Sequence, residues 1–190
     1  MMKNNCWILL WALVLMTAEN LMAQNLLVNG TFDSDINGWS NPFVTSTWVS
    51  DDGASISGNG SMEVIGTNNN NASFPMISNA FMVQEGYWYS LEASYKVPIP
   101  SPVPRAWMTI FWYDDMGIQI SDSQDVSGPF GFPNDVWLDF GGFIQAPENA
   151  VMGELRVFFQ SGSGSDAELP FGLWDDISVN EETVFINGFD

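Results

Sequence analysis

The sequence predicts an all-β fold, an antiparallel β-sandwich of the jelly-roll kind, and three observations carry that expectation. About ten short runs rich in aromatic and β-branched residues lie between clusters of Gly, Asn, Pro and Ser. Several of these runs alternate apolar and polar residues with period two, as a strand does when one face meets a core and the other meets solvent. No segment shows helical spacing of apolar residues, and a series of short strands with regular turn signals marks a sandwich or jelly roll.

The first element is a leader rather than part of the fold. Residues 1–23 carry Lys3, then the apolar run Cys6 to Met16, then the small residue Ala23 before Gln24. This is the layout of a secretory signal peptide. The run is too short to span a bilayer, which takes about 20 apolar residues. The expected product is secreted, extracellular or on the cell surface, with one β-sandwich domain at 24–180 and a terminal strand or tail at 181–190. Cys6 is the single cysteine and leaves with the leader, so the mature chain depends on its core, or on a bound metal, for stability.

Asn25 to Asn29 reads as a strand, followed by Gly30-Thr31-Phe32-Asp33 and by a second Asn-Gly turn at Asn37-Gly38 that closes on Trp39. The letters Asp33-Ser34-Asp35-Ile36-Asn37-Gly38 also begin like an EF-hand loop. That motif needs a bidentate Glu at its twelfth position between two helices. Counted from Asp33, that position is Val44, and Pro42 lies just before it. The stretch is therefore a turn. Asp51-Asp52-Gly53 and Asp114-Asp115 likewise read as turn acids bonded to their own backbone.

Alternation then assigns faces. In Tyr87 to Val97 the odd positions are apolar and inward, leaving Trp88, Ser90, Glu92, Ser94 and Lys96 outward. In Arg105 to Tyr113 the inward set is Ala106, Met108, Ile110 and Trp112, and Arg105, Trp107, Thr109, Phe111 and Tyr113 face out. Val136, Leu138, Phe140 and Ile144 point inward in the next run. Leu155, Val157 and Phe159 do so in Gly153 to Gln160, with Glu154, Arg156, Phe158 and Gln160 outward.

Charge limits the partners. The chain holds 4 Lys and Arg against 23 Asp and Glu, a net charge of −19, and no histidine. Past the leader the cations are Lys96, Arg105 and Arg156 alone. Phosphate backbones are repelled, so nucleic acid is not a partner. Histidine-dependent catalysis and imidazole metal sites are excluded. With no catalytic constellation in view, the chain is expected to be a binder of neutral or cationic ligands rather than an enzyme.

All three cations fall on outward strand faces, and tryptophans share two of those faces. A face mixing rings with planar polar groups suits a sugar, whose C–H face stacks while its hydroxyls take hydrogen bonds. Trp107, Trp88, Arg105, Arg156 and Gln160 are the expected contacts, with Trp48 as a loop aromatic beside them. The competing reading packs these tryptophans under loops or pairs them across strands, and spends the cations on Glu92 and Glu154.

Asn25-Leu-Leu-Val-Asn29-Gly30-Thr-Phe32-Asp33 with Gly38-Trp39 resembles the start of CenC-type carbohydrate-binding modules and their galactose-binding-like jelly-roll relatives. Tyr89-Ser-Leu91, Phe111-Trp-Tyr113-Asp114-Asp115-Met-Gly117, Trp137 leading to Ala146-Pro147-Glu148-Asn149-Ala150, and Asp175-Asp176-Ile177-Ser-Val179 follow in the same order. The resemblance implies a secreted sandwich that binds neutral polysaccharide or glycan and carries a structural calcium between its first and last strands. It places the calcium ligands at Asp33 and at Asp175 or Asp176, with Glu63 as a further acid. Parity with Ile177 and Val179 puts Asp175 inward, where a half-buried carboxylate needs a cation. The chain departs from the family pattern in lacking an attached catalytic domain and in its tail, Glu181 to Asp190, which could be a terminal strand or dock on a surface partner. These departures leave a rival expectation, an extracellular structural or adhesion protein using the same sandwich for protein contacts.

Overall fold

The computed structural model describes residues 24–50, 52–54, 60–66, 73–101, 103, 105–120, 123–128, 135–160 and 169–182. The expected leader 1–23 and positions 183–190 of the tail lie outside them. Among the described residues there are eleven strands and no helix, arranged as two antiparallel sheets packed face to face. The first sheet runs β1 (Trp39–Ser40), β4 (Ser73–Ser78), β10 (Met152–Gln160), β7 (Arg105–Tyr113), β8 (Gln124–Ser127), and β5 (Phe81–Met82) also pairs with β10. The second runs β2 (Thr45–Ser50), β3 (Gly60–Ile65), β11 (Phe171–Glu182), β6 (Trp88–Lys96), β9 (Leu138–Gln145). The all-β sandwich predicted from alternation is the fold observed.

The core is the set of inward positions that period two selects. Ala106, Met108, Ile110 and Trp112 of β7 face Leu155, Val157 and Phe159 of β10 within their sheet, and all are fully buried. Tyr89, Leu91, Ala93 and Tyr95 of β6 supply the other side. Tyr95 touches Phe140, Phe159 and Trp174, and Phe159 lies 4.8 Å from Trp174 across the sheet-to-sheet gap. That approach requires Gly172, where a Cβ would sit 2.5 Å from the Phe159 ring.

Three local expectations change. Asn25 to Asn29 is not a strand. Asn25 makes one isolated bridge to Asn180, and Leu26 N–H donates to the Val179 carbonyl. Beyond it the chain curls away because Asn29 and Phe32 take left-handed φ of 56° and 46°. Asp35 holds this curl, accepting from Asn29 Nδ2 and from both nitrogens of Asn37. Val136 is 55% exposed rather than inward, since Asp135 has φ of 56° and pairing begins only at Leu138. Asp175 does not share the inward parity of Ile177 and Val179. A bulge between Asp175 and Ser178, with Asp176 at φ of 48°, inserts a residue and flips the alternation.

The turn acids divide as well. Asp114 caps its own turn, accepting from Met116 and Ile118 N–H. Asp52 instead forms an ion pair with Lys96, while Asp51 lies outside the described residues.

Trp112 is enclosed between β6 and β10, with Tyr89 6.2 Å away. Trp112→Ala is expected to cost roughly 3–5 kcal/mol through the cavity it leaves. Urea unfolding measures this, and a loss within about 0.5 kcal/mol, as for a surface site, would contradict the assignment of faces.

Candidate functional site

Nine consecutive pairs lock β7 to β10, so the outward residues form rows across two neighbouring strands. Arg105 stands opposite Gln160, Trp107 opposite Phe158, Thr109 opposite Arg156, Phe111 opposite Glu154 and Tyr113 opposite Met152. β4 extends three rows with Ser73, Pro75 and Ile77, and β8 sets Asp125 beside Thr109. At about 3.4 Å per residue, the face runs about 27 Å along the strands.

The rows are tightly organised. Trp107 lies parallel to Phe158, ring centroids 4.8 Å apart and planes 2° from each other. The Arg105 guanidinium sits 4.9 Å from the Trp107 centroid, and that of Arg156 sits 3.8 Å from the Phe111 centroid. Arg156 is further held by Glu154, through Nε at 2.8 Å and the second nitrogen at 2.7 Å, and it donates to the Tyr113 hydroxyl. Burial, with the Glu154 charge beside it, raises the Tyr113 hydroxyl pKa above its ordinary value. Thr109 donates to Asp125 at 2.6 Å. Charged groups on this face are thus oriented in advance, and Trp107 and Phe111 each carry a guanidinium against the ring.

Four of the six predicted sugar contacts, Trp107, Arg105, Arg156 and Gln160, come together here. Trp88 does not. It belongs to β6, in the other sheet, beside Gln145 of β9. Trp48 is on edge strand β2 of that second sheet rather than in a loop, and its Nε1 donates to the Phe32 carbonyl at 2.6 Å. Phe158, Phe111 and Glu154 complete the face, although sequence reasoning did not select them. Their outward parity was visible, but their partnership with Trp107 and Arg156 requires knowing that β7 and β10 are neighbours.

The acids expected at a calcium also part company. Asp175 is fully buried. One carboxylate oxygen accepts from Ala54 N–H at 2.6 Å, and the other, Oδ1, has no partner. Burial chiefly, then the charges of Asp176 and Asp33, push its pKa up to about 6 against the opposing backbone hydrogen bonds. Glu63 stands apart, accepting from Thr47 at 3.2 Å. Among the described residues no three Asp, Glu, His or Cys side chains gather as a metal-binding group. Calcium also takes backbone carbonyls, and a buried anionic oxygen without a partner is the kind of atom it satisfies, so Asp175 fits the ion while Glu63 does not.

No family model and no curated protein matches the chain. Solved structures share its fold. A domain of bacteriophage CBA120 tailspike protein 4 aligns with TM-score 0.63 and 16% identity over 83% of this chain and 21% of that one. A family 16 carbohydrate-binding module aligns with TM-score 0.57 and 15% identity over 82% of this chain and 99% of the module. The family 22 module and xylanase modules of Clostridium thermocellum xylanase 10B, solved with xylohexaose, align with TM-score 0.61 and 17% identity, over 84% of this chain and 29% of that one. The chain therefore spans about a fifth of the tailspike domain, under a third of the xylanase chain and nearly all of the family 16 module. At such identities the likeness is one of fold, a sandwich of the kind that carbohydrate-binding modules use.

The Asp175 carboxyl holds its proton up to about pH 6 when folded, against an ordinary value of 3.8. Stability from this group is full below the lower value and is lost as pH rises through the upper one. The loss is on the order of 3 kcal/mol. In chelator, Asp175→Asn should flatten the fall in melting temperature between these pH values and raise stability at neutral pH. An unchanged pH profile would contradict the burial argument.

Proposed function

We propose that the protein is a secreted, non-catalytic carbohydrate-binding module, of the CenC-like kind its motifs resemble, that holds neutral polysaccharide or glycan on the outer face of β7 and β10. The observation that carries this reading is the set of ring and guanidinium rows, Arg105 with Trp107 and Phe158, and Arg156 with Phe111. Rings meet the C–H faces of pyranoses, and planar polar groups meet their hydroxyls. The fold likeness to carbohydrate-binding modules supports the same reading. Because Phe158 and Arg105 already lie against Trp107, a sugar either displaces the guanidinium from the indole or stacks beside it. Glu154 is engaged by Arg156 and Asp125 by Thr109, so neither is set up as a free acid or base.

The reading includes a structural calcium at Asp175, with Asp33 and Asp176 beside it. When bound, the ion neutralises the buried carboxylate, and Asp175 ties β11 to the segment around Ala54 through its other oxygen. A ligand that binds only the native state raises stability by RT ln(1 + [L]/Kd). Melting curves that coincide across a calcium titration would remove calcium from the account.

A glycan array of β-glucans, xylans, mannans and galactans, followed by calorimetry, tests the main reading. Binding with a flat salt dependence is expected, since the ligand is uncharged. Trp107→Ala is expected to weaken it by roughly 1–3 kcal/mol, the scale of losing a stacking platform for a base, while leaving the fold intact. No glycan binding together with concentration-dependent self-association would instead favour the structural or adhesion protein.

A further inference from the structure

The outer face of the second sheet carries a groove of about 630 Å³, which the β7–β10 reading does not use. Its shape follows from register. Ser90, Glu92 and Ser94 of β6 point outward, opposite Phe143, Gly141 and Asp139 of β9. Gly141 leaves a gap in the β9 wall, because a Cβ there would lie 2.4 Å from the Leu91 carbonyl oxygen. The gap opens exposed Glu92 to the groove between Asp139 on one side and Phe143 on the other. Phe143 is 59% exposed, and Trp88, one row further along β6, is 37% exposed.

The opposite wall is acidic too. Asp176 lines the groove, and Asp175 stands opposite Ser94 in the β6–β11 ladder. Directly opposed residues share a sheet face, so Asp175 lies on the groove side of the sheet, fully buried beneath the segment around Ala54. Ser94 donates to Asp139 at 2.6 Å, which fixes that carboxylate. Among the described residues no Lys or Arg lines the groove. Lys96, two residues beyond Ser94, is committed to Asp52 and sits 5.4 Å over Trp137.

Carboxylates, serine hydroxyls and exposed rings, with no cationic side chain among the described lining residues, complement a ligand that brings protonated amines. Carboxylates take charge-assisted hydrogen bonds from such groups, and rings attract them by cation–π contact. A neutral ligand can give Glu92 and Asp139 hydroxyl hydrogen bonds but no opposite charge, which makes it the weaker partner for them. β6 is paired on both sides, so a ligand lying over it gains no backbone ladder from that strand and is recognised there by side chains. We propose that this groove is a second ligand site, for a glycan bearing free amino groups, with Glu92 and Asp139 as amine acceptors and Phe143 as the ring.

The proposal is independent of the β7–β10 reading, and its test separates the two. The full chain is titrated calorimetrically with a de-N-acetylated β-1,4-glucosamine hexamer, its amines protonated, and with the N-acetylated hexamer, in calcium and in chelator. The amine form should bind at least about tenfold tighter, with affinity falling as salt rises. Glu92→Gln should weaken it about tenfold in either buffer, the scale of one charged hydrogen bond, and Phe143→Ala should also weaken it. Glu148→Gln, on an exposed turn elsewhere, should leave it unchanged. Equal losses in Glu92→Gln and Glu148→Gln would reduce the effect to general attraction by an acidic protein and overturn the site. Equal binding of the two hexamers would overturn it as well. A lysine hexapeptide that binds as tightly, with the same Glu92 dependence, would overturn the glycan assignment.

Discussion

The pairing of β7 with β10 is the constraint on which the rest of the structure depends. Nine consecutive partners leave no freedom of register, and a slip of one residue would exchange the two faces completely. With the register fixed, Ala106, Met108, Ile110, Trp112, Leu155, Val157 and Phe159 fill the interior. The same pairing lines up Arg105, Trp107, Phe111, Arg156, Phe158 and Gln160 outside. Core and candidate site are thus two readings of one ladder, with core positions and the proposed contact positions alternating along the same eighteen residues.

The two outer faces of the sandwich differ in charge. Both arginines of the chain lie on the β7–β10 face, where each rests against an aromatic ring and one is held by a carboxylate. That arrangement lowers their mobility and keeps the guanidinium planes presented. The β6–β9 face gathers Glu92, Asp139 and Asp176 around a groove, and its neighbouring lysine is turned to Asp52. A chain of net charge −19 therefore keeps both arginines on one side, while on the other its lysine is paired with Asp52, so the two sides differ in the charge they present.

How much of this was legible in the sequence depends on whether the signal is local. Alternation is local, so the inward set of β6, β7 and β10 and the burial of Trp112 could be read directly. Strand adjacency is not local. Trp88 and Trp107 share outward parity, yet β6 and β7, successive in the chain, belong to different sheets, and no pattern in either strand says so. The bulge at Asp175 and Asp176 escaped for another reason. It depends on a non-glycine residue taking a left-handed φ, and two adjacent acids give little sign of it. The burial of Asp175 was anticipated from a parity that the bulge reverses. It arises instead because the segment around Ala54 covers the outer side of β11. Asp52 looked like a turn acid, and only the fold brings it to Lys96.

The central claim, that the outer face of β7 and β10 is the glycan-binding surface, is tested most directly by amide and indole chemical-shift mapping of the isotope-labelled protein during titration with the best glycan from an array. The account predicts shifts concentrated at the Trp107 indole and at the amides of Arg105, Thr109, Arg156, Phe158 and Gln160, with the β6 and β9 amides unmoved. Shifts confined to Glu92, Gly141 and Phe143, with the Trp107 indole unmoved, would contradict it.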